Sequence, residues 1–171
     1  MNVERVNELG FKPLKPLILE IRAVQSKKAL IKKMAQLQYY GIGSPIGLFV
    51  MQDGKDATRY AAHLIQSGTS LPDRDYYLKD DKKSLAVQQA LVNYATKILT
   101  LSGADDPKAG AATILKIEKR LADIQWERTK LRNPVARYNK FTVADWQEKV
   151  SEIDWSTFLK TSGINVEDLI V

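Results

Sequence analysis

The chain has 171 residues, of which 44% are hydrophobic and 27% charged, values that are ordinary for one globular domain. It contains no cysteine and one histidine, which excludes disulfides, thiolate metal sites and any metal site built from two histidines. The net charge of +6 permits an acidic partner without requiring one. No apolar run approaches the about 20 residues of a membrane span, and residues 1–20 lack the basic-then-apolar order of a signal peptide.

Three helices are predicted before residue 42, from the spacing of apolar residues and from helix-ending signals. The first covers residues 2–9 and stops at Gly10, and the second runs from Pro16 to about Val24. Ser26 is a predicted N-cap for the third helix, which ends near Gly41. The apolar side chains expected to be buried by that helix are Leu30, Met34 and Leu37.

Residues 46–66 break the helical rhythm and predict a β-hairpin. Residues 47–51 form a short, apolar, β-prone run, and Asp53-Gly54 is a turn signal. Residues 60–65 are weaker as a strand because they include two alanines.

Two long helices follow, and they are expected to pack antiparallel across a short loop. Asp80 or Asp81 caps the first, which ends at Gly103. Asp106-Pro107 opens the second, and Asn133-Pro134 ends it. The apolar stripes predicted to face the core are Val87, Leu91, Tyr94, Ile98 and Leu101 on the first helix and Ile114, Ile117, Leu121 and Ile124 on the second.

The last third of the chain predicts two short helices and a strand. Thr142 with Asp145 imitates a capping box, and Asp154 caps a helix that Gly163 closes. Residues 167–171 end within an apolar run, which is typical of a strand cut at a boundary. The predicted fold class is therefore mainly α: a helical lobe with two long antiparallel helices and one small β-hairpin near residues 46–66.

Several residues invite a chemical interpretation, but a structural one is favoured for each. His63 lacks the further histidine or cysteine that a zinc site needs. The pairs Asp73/Asp75 and Asp105/Asp106 could serve as paired carboxylates, but turn formation and helix capping explain them better. Three tryptophans are expected to act as core or interface anchors, namely Trp126, Trp146 and Trp155.

Two lysine-rich helix faces raise the possibility of nucleic-acid binding. One contains residues 27, 28, 32 and 33, and the other contains Lys116, Lys119 and Arg120. Glu118 and Asp123 interrupt the second cluster, and no nucleic-acid-binding motif accompanies either. Both faces are therefore interpreted as solvated, with any nucleic-acid binding weak and salt-sensitive.

The most informative stretch is residues 70–78, which read SLPDRDYYL. Pro72 fixes its own φ, and Asp73 and Asp75 can accept hydrogen bonds from backbone N–H groups just downstream. Arg74 adds a fixed cation, and two adjacent tyrosines offer rings to bury. We expect at least one tyrosine ring to pack against the long helix, with Arg74 bonded to a carboxylate or a carbonyl.

This string resembles the LPxRDYY signature of the neprilysin family of zinc endopeptidases. The residues that match this family structural motif are Leu71, Pro72, Arg74, Asp75, Tyr76 and Tyr77. Further segments resemble the family in the same order: LGFKPL at 9–14, the hairpin with its histidine at 48–66, RNP and YNKFT within 132–142, and IDW at 153–155.

The resemblance implies that residues 1–171 are part of the N-terminal helical lobe of a larger peptidase of the bacterial oligopeptidase O type. In that family zinc is bound by a helical HExxH and by a glutamate from a second helix. One histidine cannot supply HExxH, so no catalytic residue and no metal ligand is assigned to this chain, and its catalytic domain is expected elsewhere.

The resemblance also implies zinc as the parent enzyme's cofactor. The implied partners are the catalytic lobe of the same parent chain and the peptide substrates, which a large chamber encloses. The implied location is secreted, periplasmic or membrane-anchored in a bacterium. The competing hypothesis is a free-standing basic helical adaptor that binds a protein or nucleic acid. We also expect self-association of the fragment, through an exposed apolar surface at the C-terminal segment or at the hairpin edge, or else partial disorder there.

Overall fold

The computed structural model describes residues 2–171 and shows a mostly helical chain with one four-stranded mixed sheet. The helices are α1 Val3–Leu9, α2 Lys15–Arg22, α3 Lys27–Tyr39, α4 Asp75–Leu78, α5 Lys82–Leu101, α6 Pro107–Ile124, α7 Arg128–Leu131, α8 Val143–Lys149 and α9 Trp155–Thr161. The strands are β1 Ile46–Asp53, β2 Asp56–Gln66, β3 Lys140–Thr142 and β4 Asp168–Ile170.

Side-chain caps begin most of the helices where the sequence predicted them. Ser26 accepts from the Ala29 N–H at 3.1 Å, and Asp106 accepts from the Ala109 N–H at 2.9 Å. Of the two candidates for α5, Asp81 is the cap. Thr142 and Asp145 form the predicted capping box of α8. These caps satisfy N–H groups that a helix leaves free in its first turn.

The sheet has the strand order β1-β2-β4-β3, and it corrects the predicted fold class. The expected hairpin of β1 and β2 is present, but it forms only half of the sheet. β4 lies parallel to β2 and antiparallel to β3. A strand near the end of the chain was expected, whereas β3 was missed because three residues are too few to show an alternating pattern.

The main apolar core, called here the sheet core, lies between the sheet and helices α3 and α9. Its buried residues are Ala35, Ala62, Leu64, Trp155, Phe158, Leu159 and Leu169. On α3 the side chains that pack against it include Ile31 and Met34, whereas Leu30 is 49% exposed. The prediction that Leu30 is buried was therefore wrong, and the next residue, Ile31, packs against the core instead.

Apart from Leu91, the buried residues of the helix pair α5 and α6 lie outside the predicted stripes. Tyr94 on α5 is 65% exposed and Ile124 on α6 is 76% exposed. Leu91 aside, these buried residues are small or polar; the full set is Ser84, Gln88, Leu91 and Ala95 on α5 and Ala111, Glu118 and Ala122 on α6. A Cβ at Gly110 would lie 2.8 Å from Leu99 Cδ1, so a side chain there would require Leu99 to shift. α6 also ends at Ile124, well before the predicted Asn133-Pro134 stop.

The C-terminal apolar run lies inside the sheet, so the expected exposed surface at this segment was wrong. Leu169 is fully buried, and Ile170 is 4% exposed. β1 is an outer strand of the sheet, with Val50 and Met51 partly exposed, and self-association through it remains a prediction. Within residues 2–171, no helix combines the length and the apolar character that crossing a membrane requires.

Candidate functional site

The segment of residues 70–78 forms a turn followed by the single-turn helix α4. Asp73 starts it, because its Oδ1 accepts from the Asp75 N–H at 3.0 Å. Asp75 in turn pairs with Lys79, with 2.7 Å between Oδ2 and Nζ, on the exposed side. The predicted bond to a downstream backbone N–H is therefore present for Asp73, whereas the Asp75 side chain pairs with Lys79 instead.

Tyr77 is the residue that anchors this turn. Its ring is 2% exposed and packs in a small apolar cluster with Leu91 of α5 and Ala122 of α6. Its hydroxyl donates to the Glu118 carboxylate and accepts from the Leu71 N–H at 2.7 Å. Burial, together with the adjacent Glu118, raises the pKa of Tyr77 well above its ordinary value, so the phenol keeps its proton.

Glu118 is the unexpected member of the site. It is 7% exposed, although the sequence placed it among charges on a solvated face. One carboxylate oxygen accepts from the Ser70 N–H at 3.0 Å, and the other accepts from Ser70 Oγ at 2.7 Å. Together with Tyr77 these donors compensate for the burial of the carboxylate. The burial of Glu118 could have been predicted from Ala111 and Ala122, because all three residues lie on the same face of α6 and the other two are small.

Arg74 and Gln88 complete the attachment to the two long helices. Arg74 donates from Nε to the Ala122 carbonyl at 2.8 Å and from Nη2 to the Asp123 carbonyl at 3.3 Å. A cation at the C-terminal end of α6 satisfies carbonyls that the helix leaves free. Gln88 of α5 donates to the Tyr76 carbonyl at 2.7 Å. The expectation of a packed tyrosine and a carbonyl-bound Arg74 is therefore confirmed.

We call this arrangement the junction, defined as Ser70, Arg74, Tyr77, Gln88 and Glu118. Of the remaining motif residues, Leu71 packs against the apolar cluster and Pro72 is exposed. The hydrogen bonds of the junction join the turn to α5 and α6. The junction therefore has a structural role, because it holds the turn that follows the hairpin against the helix pair. The turn is preceded by Gly68, whose φ is +86°. A Cβ at this position would lie 2.7 Å from Pro45 Cα, so only glycine fits there.

A charged cluster fixes the other end of the hairpin. Asp53, which is 2% exposed, accepts from the Lys55 N–H at 2.9 Å, from Tyr138 Oη at 2.7 Å and from Lys140 Nζ at 2.8 Å. Lys140 also pairs with Asp168 at 3.0 Å. Lys140, then Tyr138, holds the pKa of Asp53 far below its ordinary value, and Asp53 raises the pKa of both partners.

His63 lies on β2, with its ring stacked on that of Phe49 at 5.2 Å between centroids and 6° between planes. Burial lowers the pKa of His63, which favours the neutral imidazole at neutral pH. Its Nε2 is buried and has no hydrogen-bond partner among residues 2–171. The residue borders a cleft of about 520 Å³ that sequence reasoning missed, because its walls come from segments far apart in the chain.

The residues present do not fit a zinc ion. In the part of the chain that the structure describes, no three His, Cys, Asp or Glu side chains are grouped as a metal site. Asp53 is engaged by Lys140, and Asp106 is engaged in capping α6. Asp73 shapes a turn and Asp106 caps α6, so the structural interpretation holds for one member of each carboxylate pair.

Of the three tryptophans, only Trp155 is a fully buried core residue, at 3% exposed. Trp146 packs against the sheet core from its edge, with its ring 5.8 Å from that of Trp155. Trp126 is 37% exposed and carries Lys130 Nζ at 3.7 Å from its ring centroid. The prediction of core or interface anchors is thus confirmed as core packing for Trp146 and Trp155, and an interface role of Trp126 stays a prediction.

The comparisons with known proteins agree with one another. The family model for the N-terminal part of peptidase family M13 matches residues 1–171. Endothelin-converting enzyme 1 of Cavia porcellus is 33% identical over 98% of this chain and 23% of its own length. The cryo-EM structure of Mycobacterium tuberculosis zinc metalloprotease Zmp1 in the open state superposes with a TM-score of 0.87 and 30% identity, over 99% of this chain and 27% of that one.

PepO from Lactobacillus rhamnosis has the same fold, with a TM-score of 0.78 at 21% identity. It is matched over 96% of this chain and 27% of its own. The chain thus spans about a quarter of the length of the proteins it resembles.

Proposed function

Since this chain belongs to the N-terminal domain of peptidase family M13, the neprilysin family, we propose that it is the non-catalytic lobe of a zinc-dependent endopeptidase. In this proposal residues 1–171 help to enclose the substrate chamber. The hydrolytic chemistry belongs to a catalytic lobe of the same parent polypeptide, which holds the zinc and packs against this domain.

One observation carries the proposal. The whole chain matches about a quarter of a protein described as a zinc metalloprotease, yet it has one histidine and no cysteine. A zinc site of the HExxH type needs two histidines on one helix, so this quarter cannot contain it. In our proposal, a region that matches its relatives along its whole length but has no zinc ligands contributes to the enzyme by its shape.

The junction supports a mechanical role. It connects the hairpin to α5 and α6 by hydrogen bonds from Ser70, Arg74 and Gln88, with Tyr77 as the packed centre. A wall of a chamber has to keep its shape while peptides enter and leave, and buried, satisfied polar networks favour one arrangement over alternatives. The family motif LPxRDYY is then the element that sets the angle between the hairpin and the helix pair.

The test compares two proteins: the 171-residue chain, and the polypeptide encoded by its full reading frame. Each is incubated with zinc and a quenched fluorescent peptide, with and without a chelator. We expect no chelator-sensitive turnover from the chain alone. We expect turnover from the longer polypeptide, with short peptides cleaved and a folded protein left intact.

Two results would contradict the proposal. Chelator-sensitive hydrolysis by the 171-residue chain would place chemistry in this domain. A longer polypeptide that cleaves a folded protein as fast as a short peptide would remove the confinement role. A nucleic-acid complex that persists at physiological salt would instead favour the adaptor hypothesis.

A further inference from the structure

A cleft of about 520 Å³ lies between β2, β4, the end of α6 and the segment that follows α6. Its walls are mainly apolar, and three of the apolar side chains are open to solvent: Ile65 is 44% exposed, Ile124 is 76% exposed and Trp126 is 37% exposed. Val171, the residue after β4, also lines the cleft. The cleft therefore lies where a continuation of β4 would run.

The edge of β2 that faces this cleft is only partly paired. On the other edge β1 pairs with β2 as far as Gln66, whereas the pairing with β4 reaches no further than His63 opposite Ile170. The Ser67 N–H donates to the Pro45 carbonyl on the β1 side at 3.2 Å. Because successive residues of a strand direct their N–H groups to opposite edges, the Gln66 N–H is directed towards the cleft. The end of β2 thus offers backbone groups to a further strand segment.

The parallel register of β2 and β4 fixes where such a segment would lie. In that register Val171 falls opposite Leu64, and the residue after Val171 falls opposite Ile65. Leu64 belongs to the sheet core and Val171 packs against that core. Since side chains alternate between the two faces of a strand, the side chain of the next residue lies on the other face, beside Ile65 and in the cleft.

Val171 already has the direction that this continuation requires. Its N–H donates to the Asn139 carbonyl at 3.0 Å, and its carbonyl accepts from Asn139 Nδ2 at 2.8 Å. These bonds prolong the antiparallel pairing of β3 with β4, in which Lys140 lies opposite Ile170. The strand is therefore held against its neighbour up to the edge of the cleft.

The opposite wall of the cleft is fixed to β2 before any segment enters. The Gln66 side chain donates to the Trp126 carbonyl at 3.0 Å and accepts from the Trp126 N–H at 2.7 Å. Gln125 donates from Nε2 to the Ser67 carbonyl at 2.9 Å. A wall that is ordered in advance lowers the entropic cost of binding a segment.

We propose that this cleft binds the polypeptide segment that follows Val171 in the parent protein. Its first residues continue β4 along residues 64–66, and the side chain after Val171 covers Ile65, Ile124 and Trp126. An occupant in the same chain is favoured over a free peptide, because Val171 holds it at a high effective concentration. The existence of this segment rests on the proposed function, in which the chain belongs to a longer polypeptide. The cleft then fixes the start of the connection from this domain to the rest of the enzyme.

The experiment compares the 171-residue chain with a chain extended by about ten residues of its own reading frame. A third chain carries a glycine-serine extension of the same length. Hydrogen exchange of residues 64–66, followed by mass spectrometry, reports pairing at the open edge of β2. The midpoint of urea unfolding reports the stability gained.

We expect the natural extension to slow exchange of residues 64–66 by about tenfold or more and to raise the urea midpoint, since it adds strand pairing and covers apolar surface. The glycine-serine extension should change neither value, because it has no apolar side chain and glycine is unfavourable in a strand.

Two variants locate the effect in the cleft. Ile124→Glu places a charge in the apolar wall and should cancel most of the gain from the natural extension. The matched control is Ile117→Glu, on the same helix and 52% exposed, which does not line the cleft and should retain the gain. The gain is measured within each variant, so an effect on the shorter chain cancels.

Three results would overturn the proposal: no protection by the natural extension, equal protection by the glycine-serine extension, or equal loss of the gain in Ile124→Glu and Ile117→Glu. Protection that increases with protein concentration would show that the extension enters a second copy, which overturns it as well. The assay involves no hydrolysis. A negative result therefore leaves the lobe's role in confinement standing, and a failure of the hydrolysis comparison leaves the protection of residues 64–66 unchanged.

Discussion

The sheet core and the junction are two buried regions of one chain, and they are built from different materials. The sheet core uses large apolar side chains such as Trp155, Phe158 and Leu169. The junction has a small apolar cluster around Tyr77 and relies on Glu118 and its donors. The first region gains its free energy mainly from removing apolar area from water, and the second depends on every buried polar group finding a partner.

The difference predicts how each region responds to damage. Loss of a side chain from the sheet core leaves a cavity whose cost scales with its size. Loss of a single oxygen from the junction leaves several groups unpaired without changing the shape of the packing. Substitutions that change volume and substitutions that change only hydrogen bonding should therefore separate the two regions.

The largest effect is expected in the sheet core. Phe158→Ala removes a ring that is 1% exposed and should lower the free energy of unfolding by about 3–5 kcal/mol. Urea unfolding followed by circular dichroism measures it. Val135→Ala, at a side chain 80% exposed, is the control and should change stability by less than about 0.5 kcal/mol. Equal effects at the two positions would remove the sheet core as the main source of stability.

In the junction, Tyr77→Phe keeps the ring and removes only the hydroxyl. The Leu71 N–H loses its acceptor and Glu118 loses a donor, so the free energy of unfolding should fall by about 1–3 kcal/mol. Tyr76→Phe is the matched control at the neighbouring, half-buried tyrosine, with an expected change within about 0.5 kcal/mol. If both variants have the same free energy of unfolding as the unmutated chain, the hydrogen bonds of the Tyr77 hydroxyl contribute nothing measurable to stability.

A smaller, pH-dependent effect is expected at Asp53, which fixes the hairpin turn to β3. Its pKa in the folded chain lies below the ordinary value of 3.8, so its contribution to stability is complete above that value. The contribution is lost as the pH falls through the folded-state pKa. In thermal melts from about pH 6 to pH 2, the melting temperature of the unmutated chain should fall more steeply than that of Asp53→Asn. If both proteins lose stability to the same extent at low pH, the ion pair between Asp53 and Lys140 does not contribute to the stability of the fold.

The sequence predicted best where local chemistry decides the outcome. The caps at Ser26, Asp81, Asp106 and Asp154 were found because a short polar side chain before a helical run has few other uses. The turn chemistry of residues 70–78 was also readable from proline, aspartate and adjacent tyrosines.

The sequence-based predictions failed where the buried residues are not the apolar ones. The predicted stripes on α5 and α6 followed the largest apolar residues, yet apart from Leu91 the buried positions include Gln88, Glu118 and Ala122. Nothing local to α6 shows that Glu118 has Ser70 and Tyr77 as partners, because those donors are more than about 40 residues away. The cleft beside His63 was missed for the same reason, since distant segments form it.

The parallel pairing of β2 with β4 has a consequence for the order in which the chain acquires its structure. Ala62 pairs with Leu169, across roughly a hundred intervening residues, so this seam closes one of the longest loops in the molecule. During synthesis the hairpin emerges long before β4, and its inner edge stays unpaired until residues 168–170 have left the ribosome. Over that interval Ala62 and Leu64 offer an unpaired apolar strand to other chains. The presence of chaperones during synthesis should therefore increase the yield of folded domain.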